Sequence, residues 1–463
     1  MATDHLIFLS VPGLRAGDID ASLTPTLHGW ASSGAVAELT PSFPCVTSCV
    51  QASMWTGTPP DQHGVIANGF YHRDRRAVEF WVARNNVIEG QQIWEAIRSR
   101  GDGLTAAAWH AQNIKDAAAD FIVTPAPIHE PDGTTRLWCY SKPEGLYQTL
   151  LDELGHFPLQ HYWGPLSNIE STRWILQGAS WLIEKHRPNF HWIYLPHLDY
   201  AGQRFGPDSD EARRSLVELD RELGEFAERV GRVRLPPSRN DNGTVYLVAG
   251  EYALTNVSGV VYPNRVLREA GLLAVEQRDG GDLPDLKRSR AMAVVDHQVA
   301  HVYVDPGESR GRADSIARAA DALRGLPGVA GVHTGGNRAR IGLDHPRAGD
   351  VVLVAEPSHW FAYYWWLDDD KAPPFARTVD IHRKPGYDPM ELFVDPATKG
   401  ISLRAELLKG SHGAPVTHGR ATLGHGTRRT ALVCSAASGA VEAGDVYADT
   451  DVKGMVLTLL GLA

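Results

Sequence analysis

Carboxylates, imidazoles, amides and hydroxyls recur in short polar motifs of this 463-residue chain. Carboxylates and imidazoles can bind divalent cations, and a hydroxyl beside them can act as a nucleophile. The motifs are PSFPCVTSC around Thr47, PHLDYAGQRFGP around Asp199, GEYAL around Glu251 and GSHG around His412. Each residue also has an ordinary structural explanation, respectively a helix cap, a turn carboxylate, a solvated strand end and a loop histidine. The elements between the motifs decide whether these side chains meet.

Continuous apolar runs predict strands that are buried on both faces of a parallel sheet. They lie at 5–11, 104–109, 190–195, 244–249 and 431–435. Between them, apolar residues at spacings of three and four predict a helix at 208–230, and a second helix is predicted at 88–100, each followed by a glycine. This alternation predicts an α/β sandwich with a mostly parallel central sheet.

In open α/β sheets, functional side chains gather at the carboxyl ends of the strands. Pro12, Asp199 and Glu251 each follow one of the predicted strands closely. Thr47 does not, because the sequence predicts no strand ahead of it.

Residues 260–385 differ from the rest and predict a small α+β insertion. Strands are predicted at 291–304 and 328–334 around a helix at 315–326, with joints rich in Gly and Pro. The aromatic run 360–366 can pack the core of this insertion or form a wall for a ring-shaped ligand. The main domain would then comprise residues 1–259 and 386–463.

Composition excludes several classes of protein. The formal charge is −10 without a long basic run, which argues against binding to a nucleic-acid polymer. Four cysteines do not make a disulfide framework in so long a chain. The first residues have no basic leader and too short an apolar run for a signal peptide, and no stretch of about twenty apolar residues occurs. We therefore expect a cytoplasmic protein without a membrane span. Assembly into a homo-oligomer stays an open alternative to a monomer.

The order of the polar motifs resembles the alkaline phosphatase superfamily, in its nucleotide pyrophosphatase/phosphodiesterase branch. The most specific part is Thr47 followed by the run TGTPPDQHGVIAN at 56–68. The resemblance implies an alkaline-phosphatase-like three-layer α/β sandwich in which the α+β insertion caps the active site. It also implies that Thr47 opens a helix beside metal ions and attacks phosphorus.

The resemblance further implies a set of metal ligands, which this chain keeps only in part. Asp199 and His412 match ligand positions, Glu251 is a chemically reasonable substitute for Asp, and Thr47 would lie against the ion. Pro12, Gln203 and Tyr252 stand where the family has Asp, His and His. Zinc prefers nitrogen and sulfur ligands, so this oxygen-rich set is better suited to Mn²⁺ or Mg²⁺. Zn²⁺, Mn²⁺ and Mg²⁺ all stay open.

Other residues could replace the lost ligands or hold a phosphate. The imidazole candidates are His197, His297, His301 and His382, while His418 and His425 compete with His412 because they also adjoin glycine. Gln203 and Tyr252 could still contact an ion or substrate themselves. Arg383 and Lys384, in the polar segment VDIHRKPGYDP, could bind a phosphate, or they could serve a surface or helix-end role.

These observations predict a metal-dependent hydrolase of the phosphodiesterase/pyrophosphatase type, acting on a small phosphorylated metabolite through Thr47. Two alternatives stay open. One is a non-hydrolytic binding protein that keeps the fold with a degenerate metal site, which the departures at Pro12, Gln203 and Tyr252 favour. The other is an enzyme that cleaves a phosphonate or sulfate ester bond.

Overall fold

The computed structural model describes residues 2–101, 103–129, 135–233, 243–305, 309–416 and 429–463. Its helices are α1 (Pro25–Ser33), α2 (Thr47–Thr56), α3 (Pro60–His63), α4 (Ile93–Arg100), α5 (Leu146–Leu154), α6 (Ile169–His186), α7 (His197–Phe205), α8 (Asp210–Gly231), α9 (Pro263–Glu269), α10 (Ser309–Leu323) and α11 (Val452–Leu459). Within these ranges, no helix combines the length and apolar character needed to cross a membrane.

The strands are β1 (Leu6–Ser10), β2 (Ala35–Thr40), β3 (Gly69–His72), β4 (Ala77–Phe80), β5 (Ala106–Trp109), β6 (Phe121–Pro125), β7 (Ile128–His129), β8 (Thr135–Arg136), β9 (Cys139–Lys142), β10 (Phe190–Tyr194), β11 (Val245–Ala249), β12 (Thr255–Asn256), β13 (Gly259–Val261), β14 (Val275–Arg278), β15 (Gly281–Pro284), β16 (Ala291–Asp296), β17 (Val299–Val304), β18 (Val329–Thr334), β19 (Val351–Ala355), β20 (His359–Phe361), β21 (Gly410–Ser411), β22 (Thr430–Cys434) and β23 (Val446–Ala448).

A nine-stranded sheet forms the centre of the protein, in the order β23-β2-β22-β11-β1-β10-β5-β6-β9. The strands from β11 to β6 are parallel to one another, whereas β22 runs antiparallel to both of its neighbours and β9 is an antiparallel edge strand. In β1, Leu6 and Phe8 face one core and Ile7 and Leu9 face another. The first core includes α2, α4 and α11, and the second includes α1, α5, α6 and α8. The prediction of a three-layer sandwich with a mostly parallel sheet is therefore confirmed.

The register of β1, β10 and β11 brings their carboxyl ends to one edge of the sheet. Ser10 is paired with Tyr194 on one side and with Ala249 on the other. As a result, α7 and Glu251, which follow these strands, start next to Ser10. The strand β2 leads toward α2; its half-buried, alternating pattern differs from the continuous apolar runs that the sequence prediction relied on.

A second, four-stranded antiparallel sheet has the order β16-β17-β19-β18 and a hydrophobic core of its own. The predicted strand region 291–304 forms a hairpin of β16 and β17, and the predicted helix 315–326 is α10, which begins earlier. The aromatic run 360–366 is buried in this core, in agreement with the packing interpretation. The boundaries 260 and 385 of the insertion stay a prediction.

One helix begins later than predicted. Residues 88–100 were expected to be helical, but α4 starts at Ile93 after Gly90, which has a φ of 91° in the left-handed region. Gln92 caps α4, and its backbone N–H donates to the Glu95 carboxylate at 2.8 Å.

We predict that Leu219→Ala lowers the free energy of unfolding by about 2–5 kcal/mol, because Leu219 is fully buried in α8 and its loss leaves a cavity. The matched variant is Val217→Ala on the exposed side of the same helix, where the expected change is within about 0.5 kcal/mol. Equilibrium denaturation of both variants measures the difference, and equal effects would contradict this packing of α8.

Candidate active site

Thr47 is the first residue of α2, and its side chain is not the cap of that helix. The capping position is Val46, which makes no side-chain capping bond. The Thr47 side chain is buried, and its Oγ1 lies 3.2 Å from Oη of Tyr252. The helix-cap explanation is therefore wrong, and the hydroxyl lies at the positive end of the helix dipole.

Asn68 joins the start of this helix to the second sheet. The Asn68 Oδ1 accepts a hydrogen bond from the backbone N–H of Ser48 at 3.0 Å, and the backbone N–H of Asn68 donates to Oδ2 of Asp296 at 2.7 Å. Asn68 closes the motif TGTPPDQHGVIAN, so this motif positions Thr47 by a direct hydrogen bond at the next residue.

Glu251 is buried beside Thr47 and is held by two neutral donors. Its Oε1 accepts from Ser10 Oγ at 2.6 Å and from Gln51 Nε2 at 2.7 Å, whereas its Oε2 is buried without a hydrogen-bond partner. Burial raises the pKa of Glu251 to about 8, although the hydrogen bonds from Ser10 and Gln51 and the nearby Thr47 hydroxyl oppose this shift. The explanation of a solvated strand end is wrong for this residue.

Asp199 lies in the first turn of α7, one helical turn before Gln203. This spacing puts both side chains on one face, where Gln203 Nε2 donates to Asp199 Oδ2 at 2.7 Å. Asp199 Oδ1 is buried and has no hydrogen-bond partner. Burial raises the pKa of Asp199 to about 7, although the hydrogen bond from Gln203 and the nearby Tyr252 hydroxyl oppose this shift.

His412 presents a lone pair toward Asp199. Because a carbonyl oxygen only accepts, the His412 Nδ1–H must donate to the Cys45 carbonyl, at 2.7 Å. Nε2 is then the unprotonated nitrogen; it is buried without a hydrogen-bond partner, 4.0 Å from Asp199 Oδ1. The ring stacks on Tyr252 with 3.5 Å between centroids, and burial lowers the pKa of His412 well below its usual value. His412 therefore has the neutral form and fixed orientation of a metal ligand.

His297 also joins the site, from the turn between β16 and β17. Its Nδ1–H donates to Asp296 Oδ1 at 2.7 Å, and its Nε2 is buried without a hydrogen-bond partner. The ring lies between His412 and Tyr387, at centroid distances of 3.7 and 3.6 Å. The rings of Tyr252, His412, His297 and Tyr387 thus form a continuous row, in which the outer two pairs are stacked and the two imidazoles are tilted by 39°.

The structure does not bring the other imidazole candidates into this cluster. His197 Nε2 pairs with Glu218 at 3.0 Å on α8, and His301 Nε2 donates to the Ile66 carbonyl at 3.0 Å. His382 is exposed. His418 and His425 lie outside the described residues.

The two basic candidates also have other surroundings. Arg383 is exposed and lies 3.9 Å from Asp380. Lys384 is buried, with 2.7 Å ion pairs to both Asp388 and Glu391. The buried carboxylates surround the ammonium group of Lys384, and phosphate binding by this residue stays a prediction.

The donor atoms at Asp199 and His412 fit one divalent cation. Asp199 Oδ1 and His412 Nε2 are both buried without a hydrogen-bond partner, and both carry lone pairs that could bind a cation. Across the described ranges, no group of three His, Cys, Asp or Glu side chains is placed to share an ion. Mg²⁺ commonly takes few protein ligands and completes its shell with water and substrate oxygens, and Mn²⁺ prefers similar ligands. Pro12 has no side-chain donor for the second ion that the resemblance implies.

Sequence reasoning missed two contributors, Ser10 and Gln51. Gln51 lies one helical turn after Thr47, and Ser10 ends β1 beside the segment that carries Glu251. Helical spacing could have indicated Gln51. The contact of Ser10 depends on strand order, which the local pattern does not give.

A family model for type I phosphodiesterase / nucleotide pyrophosphatase matches residues 6–388. An uncharacterised pyrophosphatase/phosphodiesterase of Schizosaccharomyces pombe is 25% identical over 224 residues, which are 48% of this chain and 40% of that protein. Human ectonucleotide pyrophosphatase/phosphodiesterase family member 7 is 23% identical over 326 residues, or 65% of this chain and 61% of the relative. The chain thus spans less than two thirds of the length of either relative.

Solved structures with TM-scores of 0.60 and 15% identity share the fold. Phosphonoacetate hydrolase from Sinorhizobium meliloti in complex with phosphonoformate covers 99% of this chain and 96% of its own. Murine ectonucleotide pyrophosphatase/phosphodiesterase 5 covers 99% and 95%, and a further structure of an inactive form of that protein contains AMP. These likenesses confirm the predicted alkaline-phosphatase-like fold.

We predict that His412→Ala weakens Mn²⁺ binding by more than about 10-fold, since loss of an outer-shell partner alone can cost that much. His197→Ala is the matched control, because it also removes a buried imidazole but one that faces Glu218. Isothermal titration with Mn²⁺ measures both, and equal affinities for His412→Ala and the unmodified protein would contradict the assignment.

Proposed function

Because the chain belongs to the type I phosphodiesterase / nucleotide pyrophosphatase family, we propose that it hydrolyses a phosphodiester or pyrophosphate bond in a small phosphorylated metabolite, with Thr47 as nucleophile. The observation that carries this proposal is the position of the Thr47 hydroxyl. Thr47 is the first residue of α2, and its hydroxyl does not cap the helix but lies beside Tyr252 and Glu251. The AMP in the structure of the murine relative supports a small phosphorylated ligand.

The attack forms a bond between Thr47 Oγ1 and phosphorus and breaks the bond from phosphorus to the leaving oxygen. Once ionised, above its raised pKa of about 8, Glu251 can receive the hydroxyl proton at Oε2, because Ser10 and Gln51 occupy Oε1 and leave Oε2 without a hydrogen-bond partner. Tyr252 stays protonated, since burial raises its pKa well above the usual value, and it orients Thr47 by a hydrogen bond. The leaving oxygen departs with the electron pair of its broken bond and takes a proton from water. Water then attacks the phosphorus of the phosphothreonine, the bond from Oγ1 to phosphorus breaks, and a proton of that water returns to Thr47 Oγ1.

Two positive charges would stabilise the negative charge on the phosphoryl group, one from the dipole of α2 and one from a cation. The amino-terminal end of α2 favours an anion next to Thr47. A divalent cation held by Asp199 and His412 would neutralise a phosphoryl oxygen. The buried surroundings of these groups exclude water and strengthen both effects.

The alternative of a non-hydrolytic binding protein also has a specific observation in its favour. Gln203 and Tyr252 stand at two positions where the resemblance implies imidazole ligands, and their side chains make hydrogen bonds to Asp199 and Thr47 instead. Such a protein would bind the phosphorylated ligand and leave it unchanged. The similarity of the fold to that of phosphonoacetate hydrolase is a reason to test phosphonates as substrates as well.

We predict that Thr47→Ala lowers turnover by at least about 10³-fold, as expected for removal of a nucleophile. Thr47→Ser keeps a hydroxyl and should retain measurable turnover, while Thr56→Ala at the far end of α2 serves as the folding control. The assay uses p-nitrophenyl phosphodiester, phosphonate and sulfate substrates in the presence of Mn²⁺, Mg²⁺ or Zn²⁺.

Mass spectrometry of rapidly quenched reactions should find a phosphoryl group on the peptide that contains Thr47. Equal turnover by Thr47→Ala and the unmodified protein would remove the covalent role. Ligand-induced thermal stabilisation without any product, across all three substrate classes, would favour the binding protein.

A further inference from the structure

The polar segment at 378–391 folds around a buried ion-pair cluster. Lys384 donates to the Thr378 carbonyl at 2.8 Å and forms ion pairs with Asp388 and Glu391, each at 2.7 Å. An ammonium group has three protons, so these partners use all of them. Breaking a buried ion pair is strongly destabilising, and the cluster therefore fixes the conformation of this segment.

The fixed segment presents Tyr387 to the active site. The Tyr387 N–H donates to the Val295 carbonyl at 3.0 Å, and its ring stacks on His297 with 3.6 Å between centroids. Trp163 contacts the ring edge and also donates from Nε1 to Glu391 at 2.5 Å. Tyr387 is therefore held by the backbone, by stacking and by a neighbour tied to the ion-pair cluster.

The hydroxyl of Tyr387 reaches Asp199 through Gln203. Tyr387 Oη donates to Gln203 Oε1 at 2.9 Å, and Gln203 Nε2 donates to Asp199 Oδ2 at 2.7 Å. Because a carboxylate only accepts hydrogen bonds, the NH2 group of Gln203 must face Asp199, and its amide oxygen then faces the Tyr387 hydroxyl. Oδ2 of Asp199 is thereby occupied, and Oδ1 is the oxygen that faces His412.

We propose that Tyr387 and Gln203 are positioning residues that hold Asp199 with one free oxygen toward a single divalent cation. The inference rests on the proposed function, because it assigns the cation of that same site. Gln203 replaces an expected imidazole, and its N–H adds a donor where a ligand would have been. Segment 378–391 thus takes part in the site through Tyr387, and Lys384 contributes by holding this segment in place.

The test compares two variants that each remove one buried phenol hydroxyl. Tyr387→Phe keeps the ring on His297 and removes only the bond to Gln203. Tyr303→Phe removes the bond to the Arg347 carbonyl, 2.8 Å long, at another buried tyrosine. We expect Tyr387→Phe to raise the Kd for Mn²⁺ about 10-fold, the range found for outer-shell partners of a metal site, and Tyr303→Phe to leave it unchanged.

A double-mutant cycle separates positioning from general stability. In a Gln203→Leu background, Tyr387→Phe should have no further effect on the Kd for Mn²⁺, because the connection to Asp199 is already cut. Thermal unfolding of each variant shows whether the fold is kept. A purely structural role would instead give additive effects on Kd, and that result would overturn the inference.

The remaining outcomes distinguish this inference from the proposed function. An unchanged Kd in Tyr387→Phe, with Mn²⁺ bound by the unmodified protein, overturns the inference alone. Weaker Mn²⁺ binding in Tyr387→Phe, together with full turnover in Thr47→Ala, supports the inference and overturns the nucleophile. Failure of the unmodified protein to bind Mn²⁺ overturns the inference and the cation assignment together.

Discussion

Burial of two carboxylates among neutral hydrogen-bond donors sets the chemistry of this site. Asp199 and Glu251 accept hydrogen bonds from Gln203, Ser10 and Gln51, and each keeps one buried oxygen without a partner. Removing carboxylates from water costs several kcal/mol unless charge is supplied or a proton is taken up, which is why burial raises both pKa values. The two free oxygens are consequently the places where a cation or a proton stabilises the folded site.

The rest of the architecture brings these groups to one place and fixes their orientation. Parallel strands β1, β10 and β11 bring Ser10, α7 and Glu251 to one sheet edge. The second sheet contributes from the other side, since Asp296 accepts a hydrogen bond from Asn68 and the His297 ring lies 3.7 Å from that of His412. The helix α2, the central sheet and the second sheet are therefore joined through hydrogen bonds at the site itself.

The sequence predicted the parts that depend on local pattern or on specific motifs. Buried parallel strands have continuous apolar runs, so the central sheet could be predicted. The resemblance carried by the motif around Thr47 and Asn68 named Thr47, Asp199, Glu251 and His412 as candidates. The sequence did not show how the side chains at the site are oriented or which residues contact them. Lys384 sits among acidic residues that come later in the chain, and only tertiary packing shows that they surround its ammonium group. The bond between Ser10 and Glu251 joins residues 241 positions apart, and it follows from strand order.

The central claim is that one cation binds between Asp199 Oδ1 and His412 Nε2. Anomalous diffraction from crystals soaked in Mn²⁺ tests it most directly, because the peak gives the position of the ion independently of catalysis. We predict a single peak within bonding distance of both atoms, with the Gln203 amide still on Asp199 Oδ2. A pair of peaks bridged by Asp199 and Glu251, or a peak away from His412, would contradict it.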